Sequence, residues 1–92
     1  MPQIFKIGPY MICFWANENR PLEPIHVHIS EGVPTGNSTK VWITKVGKCL
    51  LCNNNSQIPT KILKNIIGIL EARNKEIIEK WYGFFGEINY YC

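Results

Sequence analysis

No stretch of this 92-residue chain holds the ~20 consecutive apolar residues that a membrane helix needs, so no membrane span is expected. The opening residues, Met1-Pro2-Gln3-Ile4-Phe5-Lys6, lack the basic-then-apolar order of a secretory signal. Both absences point to a cytoplasmic protein, in which Cys13, Cys49, Cys52 and Cys92 remain thiols. Lysine and arginine form no dense cluster, and the net charge is a mild +3. That balance permits an acidic partner or RNA without demanding either. There is no Gly-rich phosphate loop, no G-x-S-x-G and no H-E-x-x-H, which removes the familiar nucleotide, hydrolase and zinc-protease signatures. No cofactor is expected. The length allows one domain, residues 1–92, which buries only about 60–65% of its unfolded surface.

Histidine is also scarce. The chain has two, His26 and His28, inside Glu23-Pro24-Ile25-His26-Val27-His28-Ile29-Ser30-Glu31-Gly32. An apolar run opened by prolines and closed by glycine reads as a strand, and a strand puts residues i and i+2 on one face. His26, His28 and Ser30 therefore share one face, and Ile25, Val27 and Ile29 share the other. An imidazole exchanges protons near neutral pH. Two on one face suit acid–base work on a phosphodiester, metal ligation, or plain hydrogen bonding to backbone or to Glu23 and Glu31.

Around this strand the pattern is β first, α last. Residues 3–7 and 10–16 read as strands joined by Gly8-Pro9, the second apolar on both faces. Residues 17–24 and 32–38 read as loops. Residues 39–46 form another strand, with Lys40, Trp42 and Thr44 alternating against Val41, Ile43 and Lys45. Residues 48–52 make a short edge strand, and Asn53-Asn54-Asn55-Ser56 a polar loop. Pro59 suits a first helical position, and Ile62, Leu63, Ile66, Ile67 and Leu70 follow at helical spacing. Gly68 inside that stripe implies close packing on the sheet. Asn74 is a candidate cap for a second helix, with Glu76 in its first turn. Ile77, Ile78, Trp81, Tyr82, Phe84 and Phe85 continue as core, Gly86 is a stop, and residues 87–92 form an unusually apolar tail. The expectation is an α+β fold. Residues 1–52 hold an antiparallel sheet of four or five strands, and residues 59–86 hold one or two helices on one of its faces.

Two more features carry chemistry. Lys40 and Trp42 are candidate binding residues on the histidine face, a cation for phosphate and a ring for stacking. Cys49-Leu50-Leu51-Cys52 has C-x-x-C spacing, and with His26 and His28 it supplies the two sulfurs and two nitrogens of a zinc site. Strand geometry opposes this, because residues i and i+3 point to opposite faces. No metal is expected on that ground.

The chain resembles the bacterial domain of unknown function family 4160 from about Pro2 to Phe85. The likeness lies in Pro2 with Ile4-Phe5, Phe14-Trp15, Pro24-Ile25-His26-Val27-His28, Lys40-Val41-Trp42-Ile43, and the helix with Glu76-Ile77, Trp81 and Phe85. Members usually carry two adjacent prolines before the first histidine, and Ile25 replaces the second here. The resemblance implies a small bacterial cytoplasmic protein whose gene lies beside that of another small domain, as in toxin–antitoxin pairs. The leading expectation is a non-enzymatic partner-binding protein that meets the adjacent gene's product, or a second copy, through the sheet face the helices leave open. The alternatives are a small ribonuclease toxin with His26 and His28 as acid and base, and a zinc-binding module.

Overall fold

The structure, a computed structural model, describes residues 3–14, 23–32 and 38–92. Five strands form one antiparallel sheet in chain order: β1 (Gln3–Ile7), β2 (Tyr10–Cys13), β3 (His26–Glu31), β4 (Thr39–Ile43) and β5 (Cys49–Asn53). Two helices follow, α1 (Thr60–Ala72) and α2 (Asn74–Phe85). The α+β reading holds. Expectations for Trp15, for residues 16–22 and for most of the turn after Gly32 fall outside the described residues.

Strand alternation makes the core. Ile12, Val27, Ile29, Val41 and Ile43 point to one face of the sheet and are buried there with Leu63, Ile66, Leu70, Ile77 and Trp81 of the helices. Two strands stop earlier than their apolar pattern suggests. In β2 the ladder ends at Cys13, and the Phe14 ring lies 5.4 Å from Trp81 and 5.6 Å from both Phe84 and Phe85. The ring packs edge-on or tilted against these neighbours, contacts that add to its burial. In β4 the ladder ends at Ile43, because Thr44 begins the turn into β5: Gly47 N–H donates to the Thr44 carbonyl at 3.0 Å. Gly47 is required there twice over. Its φ is +82°, and a Cβ would stand 2.9 Å from the Asn74 side chain.

The helical region is two helices, parted at the single residue Arg73, whose φ of −108° and ψ of 23° leave the helical range. The Arg73 guanidinium lies 3.7 Å from the Phe5 ring centroid and bonds both carboxylate oxygens of Glu76. Three helical expectations need correction. Asn74 does not cap α2: its side-chain amide donates to the Glu71 carbonyl at 2.7 Å and so caps the end of α1. Gly68 does not pack on the sheet. It is exposed, and a Cβ there would meet nothing within 4 Å. Tyr82 and Phe84 are exposed while Trp81 is fully buried, because consecutive helix positions cannot all face one sheet. Pro59 is the N-cap of α1, one residue before its first turn.

Gly86 ends α2 in the left-handed conformation, its N–H bonded to the Tyr82 carbonyl. The tail beyond it is docked. Ile25 N–H donates to the Asn89 carbonyl at 2.8 Å, and Lys45 N–H donates to the Cys92 carbonyl at 3.1 Å. Ile88 and Tyr90 pack against the core. The last residues thus run past the ends of β3, which carries both histidines, and β4.

Candidate functional site on the open sheet face

Register decides which side chains gather on the face away from the helices. His26 lies opposite Trp42, His28 opposite Lys40 and Cys13, Ser30 opposite Met11, and Leu50 opposite Trp42. Residues directly opposite in an antiparallel pair share a face, so His26, His28, Lys40 and Trp42 do come together as the alternation implies.

Their accessibility differs. The His26 side chain is 0% exposed. Its Nδ1–H donates to the Pro24 carbonyl at 2.8 Å, which places a proton on that nitrogen. Three rings enclose it edge-on: His28 at 4.9 Å, Trp81 at 5.4 Å and Trp42 at 5.5 Å. A histidine at the very start of β3 can touch Trp81 of α2 although it points to the opposite side of the sheet. His28 is half-buried and is the imidazole a ligand on this face meets first.

Lys40 is not a free cation. Its Nζ bonds Glu23 at 2.7 Å and stands 4.4 Å from the Trp42 ring centroid. Glu23, weighed as a partner for the histidines, is engaged by Lys40. A half-exposed pair of this kind contributes at most about 1 kcal/mol to stability, but it fixes where the charges sit. The other unexpected participant is Tyr91. Its ring stacks on Trp42 at 4.9 Å with only 4° between planes, and it is 58% exposed. Leu50, across from Trp42 on β5, is 43% exposed. Together these form an aromatic and apolar patch bordered by an ion pair. The sequence signal for Tyr91 was present in the apolar tail. Where the tail would dock was not.

The paired cysteines stand apart from this face. Cys49 lies opposite Ile43, its N–H bonded to a Glu71 carboxylate oxygen at 2.9 Å. Burial, and after it the Glu71 charge, push the Cys49 thiol up to about 12, which opposes the thiolate that zinc and disulfide exchange both require. Cys52 is exposed and falls at an irregularity of the ladder, between Leu51 and Asn53. His26, His28, Cys49 and Cys52 do not converge. Among the described residues no three His, Cys, Asp or Glu side chains are placed to hold a metal ion. None of the four cysteines is in a disulfide. Nor is any helix among the described residues long and apolar enough to cross a membrane.

No curated protein and no solved structure matches the chain. A family model does, over residues 10–82, a span that takes in β2 to β5, α1, α2 as far as Tyr82 and all four residues of the histidine face named above. On that match the chain belongs to the family described as Domain of unknown function (DUF4160).

Proposed function

We propose that this protein is a partner-binding protein, one half of a toxin–antitoxin-like pair, and that it meets its partner through the sheet face bearing His28, Lys40, Trp42 and Tyr91. The observation that carries this reading is the stack of exposed Tyr91 on half-buried Trp42, beside exposed Leu50, with the Lys40–Glu23 pair at its border. Aromatic side chains at the centre and charged ones at the rim are the usual make-up of a protein interface, and large apolar groups left to solvent call for a cover. Trp and Tyr are also the residues most often found to dominate such contacts.

The ribonuclease reading is weaker on the same geometry. Acid–base cleavage needs both imidazoles within reach of the substrate, and His26 is enclosed by three rings. One accessible histidine beside a neutralised lysine is a poor catalytic set. The test has two arms. The purified chain should bind the product of the adjacent gene saturably in a calorimetric titration, and it should leave a mixed-sequence RNA intact. RNA cleavage that disappears in His28→Ala would overturn the proposal and install the enzyme. Failure to bind the adjacent product would remove the pair.

A further inference from the structure

The surface beneath the tail has the parts of a peptide-recognition groove. Ile25 N–H and Lys45 N–H receive the carbonyls of Asn89 and Cys92, three residues apart on an extended segment. Main-chain donors of this sort read a backbone without regard to its side chains. Trp42 then reads one ring, that of Tyr91, lying flat on it with the Lys40 ammonium close by. Lys45 and Lys48 stand exposed at the same end of the sheet.

The chain's own tail fills this groove unevenly. Ile88 and Tyr90 are anchored against the core, while Tyr91 and Cys92 are exposed. The segment is therefore packed against the core at its start, while its end lies on the surface, held by one main-chain bond and one ring stack. We infer that residues 91–92 act as a stand-in, and that the partner supplies an extended segment that replaces them. That segment carries an aromatic residue for Trp42, a following carbonyl for Lys45 N–H, and acidic neighbours to suit Lys45 and Lys48. The inference rests on the partner-binding reading above, and it names how the partner is recognised. Replacing residues 91–92 leaves the Ile25–Asn89 bond in place and exchanges one carbonyl for another at Lys45 N–H, so the exchange is decided by the ring slot and the flanking charge.

The probe is the tail itself as a labelled synthetic peptide, Glu-Ile-Asn-Tyr-Tyr-Ser, with serine for the cysteine. Its binding to the full-length chain is followed by fluorescence anisotropy. In the wild type the attached tail competes at an effective concentration near the millimolar range, so the peptide binds weakly. Tyr91→Ala removes the ring from the attached tail only. It should raise the apparent affinity for the peptide about three- to tenfold, the factor one aromatic pair is worth. Trp42→Leu, or alanine in place of the peptide's second tyrosine, should abolish that gain. The amide resonance of Lys45 should shift on titration. Equal binding by wild type and Tyr91→Ala, or binding indifferent to Trp42→Leu, would overturn the groove. Because the peptide assay does not use the adjacent gene's product, its failure is separable from failure of the partner reading.

Discussion

Gly68 and Gly83 give the sharpest stability prediction, because the structure leaves them no reason to be glycine. Both lie inside helices, both are exposed, and a Cβ on either would meet nothing within 4 Å. Neither has a positive φ. A glycine in a helix interior costs about 0.8–1.0 kcal/mol against alanine, mostly as backbone entropy lost on folding. Gly68 sits mid-way along α1 and should return nearly all of that when replaced. Gly83 is close to the end of α2, where the helix frays, and should return about half. The two sites lie on different helices, so Gly68→Ala/Gly83→Ala should gain about 1.5 kcal/mol. For a domain of this size that raises Tm by roughly 6–12 °C. Circular dichroism melts and urea titrations of the single and double variants measure it. An unchanged or lower Tm for Gly68→Ala in the isolated chain would refute the reasoning, since it would mean that the glycine's surroundings are not the open solvent described here.

Two further outcomes follow from the core and from Cys49. Deleting the chain after residue 73 removes Ile77, Trp81 and the docked tail; each large buried side chain is worth about 2–3 kcal/mol, so the truncated protein should show no cooperative melt, and a sharp transition would contradict that. Cys49 stays protonated in the folded chain, its thiol raised from 9.0 to about 12, so the unfolded chain loses this proton first as pH rises. The stability it lends is complete below pH 9.0 and is lost on the way to about 12. The slope is at most about 1.4 kcal/mol per pH unit. Urea midpoints from pH 8 to pH 10 should therefore fall more steeply for the wild type than for Cys49→Ala, and equal slopes would show the thiol to be unshifted.

The sheet was legible in the sequence because its physics is local. The alternation around His26, His28, Val27 and Ile29 fixes which side chains share a face, and the turns at Gly8-Pro9 and Gly47 divide the strands. What was not legible depends on contacts between distant segments. Phe14 looks like strand and leaves the ladder for an aromatic cluster 67 residues further on, at Trp81. Asn74 has the right chemistry for a cap, but its side-chain amide turns back to the Glu71 carbonyl at the end of α1. The candidate site shows the same division. Spacing placed His26, His28, Lys40 and Trp42 on one face. It did not reveal that Trp81 and Trp42 enclose His26, or that Tyr91 covers Trp42, since both follow from where α2 and the tail return to the sheet.

The central claim is that the open face holds a partner, and Trp42 is its most telling residue. Sedimentation velocity of the wild type and of Trp42→Glu, each alone and mixed with the product of the adjacent gene, tests it most directly, with melts to verify that the variant is folded. The account predicts a faster-sedimenting complex for the wild type and none for Trp42→Glu. A folded Trp42→Glu that forms the same complex, or a wild type that stays a lone chain in every mixture, would contradict it.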